Sequence, residues 1–376
     1  MDLVCFSHLR WDFVYQRPQH ILSRFTNQYR VFYIQEFDSH PDEDGFTTHM
    51  SNENVCVITP HLNHHQHDNH IERKRAVINY IFEIQNIASY IFWYYTPMSL
   101  LFSNHLQPTL IVYDCMDELS AFKFADPLLK GAEKMLLETA DIVFTGGNCL
   151  YEAKKNQHHN IHAFASSIDK DHFSIARNSS DDNVDQRDIP HPRLGFFGVI
   201  DERFDIDLIE QVAILKPDWH FVLIGPIVKI DEAILPRKHN IHYLGSKTYK
   251  QLPGYLSGWD IALIPFAINE STRYISPTKT PEYLAAGKPV ISTAITDVVN
   301  PYGKKQLVHI VDNASQLVEK AIIELNNKNK ESWLAKVDEH LVTNSWDVTW
   351  SSMNDLIKEE LFNKQQSSTK KREVYV

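Results

Sequence analysis

The chain has 376 residues, 43% of them hydrophobic and 11% aromatic, with a net formal charge of −11. That length exceeds a single ordinary core, so two domains are expected. The acidic balance excludes a nucleic-acid binder, which needs a basic face, and no apolar run reaches the ~18 residues that a membrane crossing requires.

In chain order, the first apolar run, residues 3–6, reads as a strand without the basic n-region of a secretory signal, so a cytoplasmic protein is expected. Residues 7–20 form a loop dense in polar and aromatic groups. His8, Arg10 and Asp12 stand at a strand carboxyl end, suited to line a cleft, and Trp11 and Tyr15 offer flat surfaces to sugar rings. A capped connection with buried aromatics reads similarly, but the rotamer entropy of so many large side chains favours ligand contact. A helix over 17–27 follows, with Pro18 in its first turn.

Strands are predicted at 31–35 and 55–59, then a polar tract with His61, His64, His65, His67 and His70. The tract lacks the Cys or Glu spacing of a metal site, and no metal is assigned to it. The helix over 72–87 carries Arg73, Lys74 and Arg75. They suit a basic-ended core helix or, as the lesser alternative, a peripheral contact with the cytoplasmic membrane face. Strands at 90–95 and 110–113 lead to Asp114 and Asp117, paired carboxylates that serve either as hydroxyl ligands or a general base, or as helix caps. Further strands are predicted at 142–145 and 161–164, with helices at 127–139 and 148–156. Cys5, Cys56, Cys115 and Cys149 are widely spaced and read as reduced thiols.

Residues 177–191 are polar, without apolar periodicity, and are predicted as the linker between a domain at 1–176 and another at 192–345. Strands follow at 194–199, 220–224, 241–244, 261–265, 289–292 and 307–311. Residues 346–376 are expected to form a helix packing back towards the first domain, ending in a frayed tail. The fold class is α/β: two Rossmann-like, doubly wound parallel sheets facing across a cleft, with ligands beyond the strand carboxyl ends. Eight of the 12 glycines lie between Gly195 and Gly303, which equips the second half for close backbone approach.

Gly198 precedes a helix predicted from Ile206, an arrangement that suits an anion, and Arg203 in the same loop adds charge. An ordinary turn with a surface arginine is the alternative. Asp205-Ile-Asp207 has a cation-binding D-x-D form, but it opens a helix, and capping is the reading adopted. The most informative stretch is Ser276-Pro-Thr-Lys-Thr-Pro-Glu-Tyr-Leu-Ala-Ala-Gly-Lys-Pro-Val290. It reads as a loop, a short helix bearing Lys279 and Glu282, a glycine and a strand. An i, i+3 pair shares one helix face, so ammonium and carboxylate point into one space, as a ligand with anionic and hydroxylated parts requires. A solvated intrahelical ion pair is the alternative.

This stretch, with Gly258-Trp-Asp-Ile-Ala-Leu-Ile-Pro-Phe266 and Asn269-Glu270, resembles the nucleotide-sugar domain of GT-B glycosyltransferases of the retaining, family-four (group 1) type. The turn at Gly198, Asn240-Ile-His-Tyr-Leu-Gly245 and Leu252-Pro-Gly-Tyr-Leu agree in order, and a narrower bacterial group shares residues 7–20 and 113–118. The resemblance implies that Glu282 holds the donor ribose, Glu270 faces the donor sugar, and Arg203 and Lys279 act on the diphosphate. Arg203, Lys279 and Glu270 are thus the catalytic candidates. Gly198, Ser276, Thr278 and Gly245 join the donor site, and His8, Arg10, Trp11, Asp114 and Asp117 the acceptor site. Two departures stand out: Glu270 and Glu282 are 12 residues apart, more than the family's usual spacing, and Val199 replaces a usual arginine. Lys279 or Arg273 would then complete the phosphate clamp. The expected reaction moves a sugar from a UDP- or GDP-sugar to a glycan or lipid-linked acceptor in cell-surface polysaccharide synthesis, with no cofactor and no metal. A sugar-nucleotide epimerase on the same fold would turn the donor over without an acceptor. A non-catalytic sugar-nucleotide-binding protein would bind it without transfer.

Overall fold

A computed structural model describes residues 1–66, 69–179 and 182–374, with side chains through residue 367. Its contacts divide the chain into two units. The first comprises Met1–Ser120, Phe124–Ala165 and everything from Asp347; the second comprises Ala121–Lys123 and Ser166–Trp346.

Nine strands build the sheet of the first unit: β1 (Asp2–Phe6), β2 (Arg30–Ile34), β3 (Asp38–His40), β4 (Gly45–Met50), β5 (Val55–Asn63), β6 (Tyr90–Tyr94), β7 (Leu110–Cys115), β8 (Ile142–Thr145) and β9 (Ile161–Ala163). Their order is β3-β5-β2-β1-β6-β7-β8-β9, and only β4 runs antiparallel, against β5. The central strands are buried along their whole length, as parallel strands covered on both faces must be. The sequence reading missed β3 and β4. Their residues are mostly exposed and lack an apolar alternation, so pairing with β5 alone makes them strands.

In the second unit β10 (Arg193–Phe197), β11 (His220–Ile224), β12 (Ile241–Tyr243), β13 (Ile261–Ile264), β14 (Val290–Thr293) and β15 (His309–Val311) form a six-stranded sheet. The order is β12-β11-β10-β13-β14-β15 and every pairing is parallel. All the strand carboxyl ends therefore emerge on one edge, where residues 198, 225, 245 and 265–278 lie.

Residues 177–191, expected as the linker, belong instead to the second unit, apart from residues 180 and 181, which lie outside the described residues. Gln186 explains the difference: it is fully buried, donating to the Tyr255 carbonyl at 2.9 Å and accepting from Trp259 Nε1 at 3.1 Å. The chain passes between units at Ala165–Ser166 and returns at Trp346–Asp347. There the helix Trp346–Val374 begins, and it continues where a frayed tail was expected. Met353, Ile357 and Leu361 bury one stripe of it, and Lys364 pairs with Asp141 at 2.7 Å.

The basic residues of the helix His70–Ile84 are compensated within the first unit. Arg73 pairs with Asp44, Arg75 with Glu72 at 2.9 Å, and the Lys74 ammonium sits 5.1 Å from the Phe37 ring centre. That leaves little unsatisfied charge for an anionic surface. Among the described residues no helix is long and apolar enough to cross a membrane, and no group of His, Cys, Asp or Glu has the form of a metal site. His61 stacks on His40 at 4.5 Å and the His64 ring contacts the His40 carbonyl at 2.9 Å; His67 lies outside the described residues.

Candidate functional site

The carboxyl edge of the second sheet is shaped by backbone. Gly198 follows β10 with φ +143° and Gly225 follows β11 with φ +139°, a region that side chains rarely adopt. The Gly198 amide donates to the Ile224 carbonyl at 2.8 Å and the Gly225 amide to the Gly245 carbonyl at 2.9 Å. The three loops are thus stitched together. A Cβ on Gly225 would lie 1.9 Å from the Gly198 carbonyl oxygen, backbone that cannot swing aside. Gly225→Ala is expected to destabilise the protein by about 1–3 kcal/mol, read by urea unfolding.

Lys279 closes this edge. Its Nζ is 5.6 Å from the Phe196 ring centre and 5.5 Å from that of Phe266. A Cβ on Gly198 would fall 2.6 Å from the same nitrogen, so the ammonium lies against the Gly198 backbone. One turn along the helix Lys279–Ala285, Glu282 is 7% exposed. Burial pushes its carboxyl up to about 7, while the Lys279 charge pulls it back down. The i, i+3 pair therefore faces inward and is not a solvated surface pair. Tyr283 pins the helix to β10, its hydroxyl accepting from the Phe197 amide at 3.0 Å. Thr278 is the helix N-cap, without a side-chain cap bond, and the Ser276 carbonyl accepts from Ser166 Oγ at 2.5 Å.

Beyond β13 and β14 a cavity of 570 Å³ is lined by Ile268, Asn269, Glu270, Thr272, Arg273 and residues 294–296. Its Asn269 turn is closed by side-chain bonds: the Asn269 Oδ1 accepts from Ser271 Oγ at 2.7 Å and from the Thr272 amide at 3.1 Å. Glu270 and Arg273 thus share a cavity that Lys279 and Glu282 do not line.

Arg203 is placed differently from expectation. Asp201 chelates it, with Nε–Oδ1 2.9 Å and Nη2–Oδ2 2.7 Å, so its charge is compensated inside its own loop. The helix Ile206–Leu215 is capped by Asp205, which accepts from the Leu208 amide at 2.9 Å and so already takes one of its first amides. Lys279, by contrast, has its ammonium against the Gly198 backbone.

In the first unit the carboxyl edge also departs from expectation. Trp11, read as a platform for sugar, is 4% exposed and packs edge-on against Tyr33 at 4.9 Å. Asp114, read as an acceptor ligand, is fully buried and takes three hydrogen bonds from Arg17 at 2.8–3.1 Å. Arg17 also donates to the Phe164 carbonyl at 2.7 Å. Burial works against the Arg17 charge, and the Asp114 carboxylate outweighs it. Arg10 forms an exposed ion pair with Asp38. His8 and Asp117 remain half-buried at this edge. The sequence reading passed over Arg17, whose one signal is an arginine at the very start of a Pro18-initiated helix.

Residues 191–327 match the model of the family Glycosyl transferases group 1. This stretch is a group 1 glycosyl transferase domain. It contains the glycine edge, Lys279, Glu282 and the Glu270 cavity. Over 221 residues the chain is 27% identical to the teichuronic acid biosynthesis glycosyltransferase TuaH of Bacillus subtilis (strain 168), covering 54% of each sequence. It thus spans about half the length of that curated relative. Among solved structures it is similar to sucrose-phosphate synthase from Thermosynechococcus elongatus, with TM-score 0.72, 12% identity and 95% and 98% of the two chains covered. Anabaena HepE, solved with UDP and glucose, gives TM-score 0.67 at 11% identity, covering 95% and 99%. The fold is therefore GT-B, two parallel-sheet α/β domains with the group 1 domain second.

Proposed function

We propose that this chain is a metal-independent, retaining glycosyltransferase. It takes a UDP- or GDP-sugar in the group 1 domain and passes the sugar to a glycan or lipid-linked acceptor, in cell-surface polysaccharide synthesis. The observation that carries this reading is the Lys279 ammonium against the Gly198 backbone, with Glu282 buried one turn along the same helix. Departure of a sugar from a nucleotide diphosphate leaves charge on the phosphate, and a preorganised cation in a dry site stabilises that charge. Glu282 accepts from the ribose hydroxyls, and Glu270 and Arg273 meet the sugar. With retention the leaving phosphate takes the acceptor's proton, so no paired carboxylates of glycosidase type are needed. The relative named for teichuronic acid supports a polysaccharide product, and HepE with UDP and glucose supports the donor class.

Calorimetric titration with UDP and GDP tests the donor site: one of them should bind, and Glu282→Gln should weaken it. Equal affinity in the variant removes Glu282 from the ribose. A pH series supplies a second check. Because the folded-state carboxyl is raised from 4.5 to about 7, ionising Glu282 in the native state disfavours the fold. Wild-type stability should fall relative to Glu282→Gln as pH rises through that window, with no divergence below it. Parallel melting curves across the range would show that Glu282 ionises freely.

A further inference from the structure

The helix Lys279–Ala285 has only seven residues and is too short to hold its own geometry. Three ties fix it, and two of them come from one segment, residues 166–177, the first stretch of chain in the second unit. Before the helix, Ser166 Oγ donates to the Ser276 carbonyl at 2.5 Å. At its exit, Arg177 Nε donates to the Ala285 carbonyl at 2.5 Å, one of the terminal carbonyls a helix cannot satisfy internally. The guanidinium is held for this by Asp338, whose two oxygens accept from Nη1 and Nη2 at 2.9 Å each. Gly287, at φ +71°, ends the helix, and a Cβ there would lie 3.2 Å from the Arg177 Cγ, so the glycine also leaves room for the arginine stem.

We propose that Arg177 and Ser166 are positioning residues for the donor site: they fix both ends of the Lys279–Ala285 helix and so hold Lys279 and Glu282 where a nucleoside diphosphate is bound. Neither is assigned a contact with the nucleotide. The inference rests on the donor reading above. Tyr283 ties the middle of the helix to β10, while Ser166 acts before its first turn and Arg177 at its last, so each constrains a different part of it. Among the described residues Asp338 bonds Arg177 and not the helix itself, so it acts on the helix only through the guanidinium.

The test is UDP and GDP affinity by calorimetry beside the melting temperature for Arg177→Met, Arg177→Lys, Ser166→Ala, Asp338→Asn and Glu282→Gln. Loss of a charge-assisted bond to the helix should weaken binding about tenfold in Arg177→Met. Arg177→Lys should recover part of that loss. Asp338→Asn should weaken binding less than Arg177→Met does, because Asn still accepts one bond from the guanidinium. Ser166→Ala removes a single hydroxyl and should weaken binding a few-fold with little change in melting, which keeps the idea testable should Arg177→Met not fold. If affinity tracks melting temperature across the set, or if Ser166→Ala and Arg177→Met bind like wild type while Glu282→Gln does not, the positioning role falls and the donor site stands. If wild type binds neither nucleotide, both fall together.

Discussion

Lys279→Ala is expected to lower sugar transfer about 10²–10³-fold, the loss typical of removing one preorganised group that stabilises developing charge. The ammonium lies against the Gly198 backbone and beside the Phe196 and Phe266 rings. Arg203→Ala should cost far less, since Asp201 already compensates that guanidinium. The rates of the two variants on one donor therefore rank the cations. A separate reading comes from Glu282: Lys279 pulls its ionisation down, so the Ala variant should ionise Glu282 at higher pH than wild type. Turnover at the wild-type rate in Lys279→Ala would overturn the assignment of the diphosphate to this edge.

Asp114→Asn should destabilise the first domain by about 3–5 kcal/mol, because it leaves the Arg17 guanidinium buried without its counter-charge. For a domain of this size that is a fall of roughly 6–20 °C in melting temperature. Replacing both partners with apolar residues of similar volume should recover much of the loss, since a buried pair contributes little net stability over a well-packed apolar pair. If Asp114→Asn kept its melting temperature and lost transfer instead, the carboxylate would be an acceptor ligand after all.

The comparison of these two edges shows where sequence reasoning reached and where it stopped. Lys279 and Glu282 were legible because helical spacing places i and i+3 on one face, a local geometric fact. The parallel-sheet architecture was legible for the same kind of reason: strands buried on both faces read as unbroken apolar runs. The partners of Arg203 and Asp114 were not foreseen, because pairing is decided by what else arrives at the same place. Asp201 lies two residues from Arg203, but Arg17 is 97 residues from Asp114, and only the strand order β1-β6-β7 brings that pair together. The burial of Trp11 was not foreseen for the same reason, its ring meeting Tyr33 from the neighbouring strand β2.

By itself the sequence determined the two α/β domains, the crowding of glycine into the second half and the shared face of Lys279 and Glu282. Each follows from periodicity or composition within a few residues. The tertiary structure decided which charges are compensated and which side chains are buried. It placed residues 177–179 and 182–191 with the second unit, and it set Ser166 on the Ser276 carbonyl and Arg177 on the Ala285 carbonyl, either side of the helix Lys279–Ala285. Apart from the Asp201–Arg203 pair, two residues apart, those outcomes depend on contacts between residues distant along the chain, which no local pattern encodes.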